Sequence, residues 1–176
     1  DISGTEDELL SRMKSKTRYN IRLSERKGVR IFAASKEMLP VFYDLYRETA
    51  ERNGFAVCEY RYFSALFSVD ADAADASEVH FLLAAADGDV LAGAIVAVSA
   101  QTATYLFGAS SCRHRNMMGG AAVQWGAIRL ARARGCVTYD MGAVPPADDP
   151  GHPFYGMYRF KAGFGGKVVH RSGSWD

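Results

Sequence analysis

The chain has 176 residues, 48% hydrophobic and 12% aromatic, enough to build the core of one domain and too rich for a disordered tail. Its 21 Lys and Arg against 20 Asp and Glu leave a net charge of +1, so the molecule as a whole exerts no strong field on nucleic acid. The longest apolar run, residues 81–86, falls far short of the roughly 20 residues that cross a bilayer, and the acidic, polar opening is unlike a signal peptide; a soluble cytoplasmic protein is expected.

In chain order, Leu9, Leu10, Met13, Ile21 and Leu23 predict one helix over 6–27, stopped by Gly28. Eight cations, Arg12, Lys14, Lys16, Arg18, Arg22, Arg26, Lys27 and Arg30, crowd this region, opposed only by Glu25. Such a face either meets phosphates or is simply solvated. Residues 28–33 read as a first strand. Ser35 is a candidate N-cap for a helix whose apolar face is Met38, Leu39, Phe42, Leu45, Tyr46 and Thr49, closed by Asn53-Gly54. A shorter helix is expected over 60–69, then an Ala/Asp-rich turn region over 70–77.

Strands over 79–86 and 90–99 flank a hairpin signal, Asp87-Gly88-Asp89, and 102–107 supplies a third. A loop over 108–116 enters an apolar helix over 120–134 that Gly135 ends, and 137–141 is a buried-looking strand. Four prolines, Pro145, Pro146, Pro150 and Pro153, precede a short helix over 155–162 and a last strand over 167–170. This order predicts an α/β (α+β) domain with a mixed, mostly antiparallel sheet, one βαβ crossover and flanking helices. It resembles in topology the GCN5-related N-acetyltransferase (GNAT) acyltransferase fold. The expected division is a basic helical lead over 1–27 and a GNAT-like domain over 28–176.

The three cysteines, Cys58, Cys112 and Cys136, form no CxxC pair and read as reduced core or near-core thiols, and the four histidines lack helical i, i+4 spacing; no metal is expected. Two segments carry chemistry. In the first, Arg113, Arg115, Gly119 and Gly120 precede a helix, so guanidiniums and a helix N-terminus make an anion site. Compared with the Q/R-x-x-G-x-G/A loop of acetyl-CoA enzymes, the first glycine arrives one residue late. The alternative is an ordinary glycine-eased turn. In the second, Lys161 lies between Phe160 and Phe164 with Gly163, Gly165 and Gly166 following. The lysine either stabilises negative charge in a partly dry pocket or snorkels from a capped helix end.

Four ordered blocks resemble the FemABX (Fem-type) peptidoglycan aminoacyltransferases. They are the stretch from Lys14 to Val29; Tyr105-Leu106-Phe107-Gly108-Ala109-Ser110-Ser111 with Arg115, Gln124-Trp125 and Ala127-Ile128; Gly135 with Tyr139-Asp140-Met141-Gly142; and Arg159-Phe160-Lys161-x-x-Phe164-Gly165-Gly166. Ala143 departs from the glycines usual after the Tyr-Asp-x-x-Gly strand. The resemblance implies transfer of amino acids from aminoacyl-tRNA to the stem-peptide amine of a lipid- or UDP-linked peptidoglycan precursor, without a bound cofactor. It implies a catalytic role for Lys161. Phe160, Arg115, Arg113, Phe164 and Tyr155 would bind substrate, and Lys14, Lys16, Arg18 and Arg22 would meet tRNA phosphates. It also implies an N-terminal GNAT-like domain that this chain lacks. No general base is evident in the sequence. The competing readings are an acetyl-CoA-dependent N-acetyltransferase and a non-catalytic module that binds nucleic acid or cell-wall precursor.

Overall fold

In a computed structural model, residues 1–67, 77–145 and 147–170 are described. The first helix, α1 (Glu6–Arg12), starts in a capping box: the Glu8 amide donates to Thr5 Oγ1 at 3.2 Å and the Thr5 amide to Glu8 Oε2 at 2.7 Å. It does not continue to residue 27. Met13 and Lys14 adopt extended backbone, and α2 (Ser15–Arg26) begins anew. Two distant partners hold the elbow. Met13 is buried in the core, and the Lys14 amide donates to Gly163 O at 2.9 Å.

An edge strand β1 (Arg30–Ala33) leads through a 3-10 turn, Lys36–Met38, into α3 (Leu39–Asn53), which Gly54 ends in left-handed conformation at φ 69°. The following helix, α4, covers Tyr60–Leu66 and gives way to a turn at Phe67; residues 68 and 69 of the expected helix and nearly all of the Ala/Asp-rich turn lie outside the described residues. Strands β2 (Glu78–Ala86) and β3 (Asp89–Ser99) turn through Asp87 and Gly88, both at positive φ. After β4 (Thr102–Ser110), helix α5 (Gly119–Ala133) crosses over to β5 (Thr138–Asp140), and α6 is Tyr155–Ala162. Residues 167–170 form no strand. Val168 and Val169 are exposed, and no strand of the sheet pairs with them.

The sheet runs β1-β2-β3-β4-β5, antiparallel except for the parallel β4–β5 pair made by the βαβ crossover. Both faces are covered, which is why β2 and β3 read as continuous apolar runs. Leu82, Ala84, Ala92, Ala94 and Val96 face α5 and the α1–α2 pair; Phe81, Leu83 and Ile95 face α3 and α4 around Phe42, Tyr46 and Phe63. Ile2, Leu9, Met13 and Ile21 belong to the first core, so the helical lead is built into the domain. Among the described residues no helix is long and apolar enough to cross a membrane.

Two features of β4 position the site. Its pairing with β5 stops at Thr104–Asp140, so Tyr105 to Ser110 continue beyond the last parallel partner. Against β3, the register passes from Ile95–Phe107 to Val96–Tyr105, leaving Leu106 as the extra residue of a bulge.

Candidate active site

Helix α6 reaches the end of this split because its C-terminal residues lock into the α1–α2 elbow. Phe164 is buried in the same core as Met13, and its ring meets Phe160 edge to face at 5.3 Å. Gly165 has φ 81°, and a Cβ there would lie 2.5 Å from Arg12 O. Only glycine fits that approach. A Cβ on Gly163 would likewise stand 2.4 Å from Thr17 Oγ1.

Lys161 is thereby held beside the loop that follows β5. Its Nζ donates to Ala143 O at 2.8 Å and sits 5.9 Å from the centroid of the Tyr105 ring. Ala143, the departure from the family pattern, thus contributes its carbonyl, which any residue there would offer. The loop turns at Gly142, φ 72°, whose amide donates to Asp140 Oδ1 at 2.7 Å. Burial lowers the pKa of Lys161, and the Asp140 carboxylate partly opposes that shift. Burial pushes the Tyr105 phenol up to about 12, so it stays a neutral ring beneath a cation. Behind it, the Tyr139 phenol is held well above its ordinary value by burial and accepts from Gln124 Nε2 at 2.7 Å. Tyr105 is the contributor that residue-by-residue reading missed; its signal was the Tyr-Leu-Phe-Gly run, where the phenol fills the space a Cβ on Gly108 would need.

A second feature lies alongside, a cleft of about 180 Å³ lined by Asn20, Ser111, Arg113, Arg115, Gly120 and Phe160 among others. It brings together Arg113, Arg115 and Phe160, three residues named from the sequence, and it opens at the N-terminus of α5, which has no side-chain cap. Its loop is tied at several points. Lys27 Nζ donates to Asn116 O at 2.9 Å, His114 Nε2 lies 3.2 Å from Asp89 Oδ2, and the Ser111 amide donates to Leu91 O at 2.9 Å. Two guanidiniums at an uncapped helix end suit a phosphate or carboxylate. Lys161 does not line this cleft. The adjacent residues Phe160 and Lys161 serve two neighbouring places, the cleft and the β4–β5 split.

The remaining anticipated residues separate. Tyr155 is stacked on Tyr158 at 6.3 Å under the Arg159 guanidinium and does not line the cleft. Lys14, just before α2, and Lys16 and Arg22 on it are exposed. Arg18 is half-buried, and its guanidinium donates to the carbonyls of Leu10, Ser11 and Met13, capping the end of α1. That fixes Arg18 in the elbow. Cys136 is buried and Cys58 partly so, but Cys112 is exposed, with Arg52 donating to its Sγ at 3.0 Å. Among the described residues no group of three His, Cys, Asp or Glu is placed to hold a metal.

Comparison with known proteins bears on the family and the fold. A family model described as FemAB family matches residues 1–89 and 68–176, together the whole chain. The chain belongs to the FemAB family. Among curated relatives of this FemAB-family chain are proteins called lipid II:glycine glycyltransferase from Staphylococcus epidermidis, 22% identical over 235 residues, and from Staphylococcus aureus, 22% identical over 238. Each alignment covers 99% of the chain and 56% of the relative, so the chain spans about half the length of the curated relatives it matches. The aligned span exceeds the chain's own length, so these relatives carry additional residues inside it. In structure, the FemAB chain resembles a crystal structure titled FemX, with TM-score 0.85 and 21% identity over 93% of the chain and 56% of that one. It also resembles a tandem GNAT protein from the clavulanic acid pathway, with TM-score 0.58 and 20% identity over 78% of the chain and 43% of that one. The FemAB chain therefore has the GNAT-like fold anticipated from its element order.

Proposed function

We propose that this chain is the half of an aminoacyl-tRNA-dependent aminoacyltransferase that carries the acyl-transfer site, and that the enzyme extends the stem-peptide amine of a peptidoglycan precursor. The observation that carries the proposal is Lys161 Nζ, seated on Ala143 O over the Tyr105 ring just past the last β4–β5 pair. Family membership and the glycyltransferase relatives support the same reaction class.

In the proposed mechanism the neutral acceptor amine attacks the ester carbonyl of the aminoacyl group. A C–N bond forms and the carbonyl oxygen becomes anionic. The Lys161 ammonium stabilises that oxygen or the ribose oxygen as the ester C–O bond breaks. The amine proton passes to the departing oxygen, and no protein base is assigned to the transfer. Phe160 shapes the acceptor end, Phe164 anchors the segment, and Arg113 and Arg115 receive the precursor's anionic groups in the cleft. Tyr155 is the weakest assignment, because it lies off the cleft lining. Lys14 at the elbow and Lys16 and Arg22 on α2 meet tRNA phosphates, with Arg18 securing the elbow beneath them. A second domain, supplied by the part of the relatives that this chain does not span, completes the acceptor site. The reaction belongs in the cytoplasm, where charged tRNA is found.

The test is transfer of a labelled amino acid from charged tRNA to lipid II or a UDP-linked muropeptide by the family-length protein. Lys161→Ala is expected to reduce turnover by about 10²–10³-fold with binding of both substrates retained. Unchanged turnover removes Lys161 from the mechanism, and tRNA binding without any turnover favours the non-catalytic module. The second reading, an acetyl-CoA-dependent N-acetyltransferase, draws on the GNAT-like neighbours and the cleft at the α5 N-terminus. Calorimetric titration with acetyl-CoA separates the two, tight binding favouring the acetyltransferase.

A further inference from the structure

Helix α2 has a face that the cleft leaves uncovered. Asn20 lines the cleft and Lys27 ties down the loop beside it, while Ile21 and Ser24 are buried. At about 100° per residue, the side chains then turn outward from that lip. Lys16 and Leu23 come first, Tyr19 and Arg26 next, and Arg22 last. Tyr19 is 56% exposed, and the Arg26 guanidinium lies 5.9 Å from its ring centroid. The Tyr19 ring stands more than half open on the helix face that carries Lys16, Arg22 and Arg26, and it belongs to neither buried core. That face has the composition of a site where a base stacks while neighbouring phosphates meet cations.

We infer that Tyr19 and Arg26 form a stacking platform for an unpaired base of a single-stranded RNA end, with Lys16 and Arg22 on the adjoining phosphates. The inference rests on the reading of α2 as the RNA-facing helix and specifies what part of the RNA it takes. Charge complementarity selects a polyanion, and the exposed ring selects one with unpaired bases, since a base in a duplex offers no free face. A lipid surface is disfavoured: Ile21 is buried and Leu23 half-buried, so this face presents one aromatic and no exposed aliphatic wedge. The platform also adjoins the candidate site. Asn20, about 100° round α2 from Tyr19, shares the cleft lining with Phe160, so a strand stacked on Tyr19 reaches the cleft past Lys16 and Leu23 at its lip.

Fluorescence anisotropy on the chain of this sequence tests the platform, using a labelled single-stranded RNA of about eight nucleotides. A duplex of the same length, inorganic polyphosphate and phosphatidylglycerol vesicles serve as the other probes. Tyr19→Ala is expected to weaken single-strand binding roughly ten-fold or more, leaving duplex and polyphosphate binding unchanged. Tyr19→Phe is expected to retain the affinity. In Tyr19→Trp, the new fluorescence should be quenched by the single strand and not by polyphosphate. Because the ring is exposed, thermal melts of these variants should match the parent. Wild-type single-strand affinity in Tyr19→Ala overturns the platform, as does an equal loss toward polyphosphate or binding to vesicles in place of RNA. The transfer assay judges Lys161 separately: turnover that depends on Lys161 beside RNA binding indifferent to Tyr19 discards the platform and leaves the transferase reading standing.

Discussion

Lys161 shows how a site is tuned by a few contacts. Burial disfavours its ammonium, and Asp140 restores only part of the lost stabilisation, so the folded chain binds this proton less tightly than the unfolded chain does. Between the lowered folded pKa and the ordinary lysine value, the unfolded state holds more protons and stability rises with pH. Below the folded pKa, the charged group stands as a constant small cost, screened because the side chain is only half-buried. The proposed chemistry runs the other way. It needs the ammonium, so transfer should fall as pH rises through the lowered pKa, earlier than an unperturbed lysine would allow. NMR titration of ¹³C-methylated lysines checks the ionisation without an activity assay. One resonance, absent from Lys161→Met, is expected to titrate below the rest; a single common midpoint for all lysines would refute the buried placement.

At the scale of elements, the decisive object is the contact between α6 and the elbow of α1 and α2. Gly165 combines positive φ with a backbone approach that leaves no room for a methyl group, whereas a Cβ on Gly166 meets nothing within 4 Å. Gly165→Ala is expected to lower stability by about 2–4 kcal/mol in urea denaturation. Gly166→Ala should stay within about 0.5 kcal/mol of the parent. Equal effects would mean that α6 is not docked as described. The same contact explains what the sequence concealed. Leu9, Leu10, Met13, Ile21 and Leu23 read as one helix face only if the polar stretch 14–18 is passed over; the break at Met13 and Lys14 is held by Gly163, about 150 positions away in the chain. The final strand failed for a related reason. Val168 and Val169 have strand propensity, but a strand needs a neighbour with free ladder groups. Arg18 looked like its basic neighbours until the elbow gave it carbonyls to cap.

For the whole molecule, the legible part was the topology. The Asp-Gly turn, the doubly apolar β2 and β3, and the helix between β4 and β5 together leave few arrangements, and the sheet is mixed and mostly antiparallel with one βαβ crossover as expected, but without the strand expected over 167–170. The candidate residues were named from the sequence, but not how the fold separates them. Phe160 and Lys161 are neighbours in sequence, and only the turn of α6 sends one to the cleft and the other to the strand split. What unites these places is a sheet shared by two cores, and that sharing is testable. Gly93 lies in the central strand, where a Cβ would stand 2.6 Å from Phe42 Cδ2 and 2.9 Å from Leu83 Cδ2, the ring and the methyl both fully buried on the α3 side. Gly93→Ala should therefore overpack that side and cost about 1–3 kcal/mol. Trp125, buried on α5, reports the opposite face. With Trp175→Phe as background, its fluorescence and far-UV circular dichroism should unfold at one midpoint, and Gly93→Ala should move both together. If the mutation shifts the dichroism while Trp125 keeps its midpoint, the two faces are separate cooperative units. The sheet then would not couple the α3 layer to the helices that hold Lys161 in place.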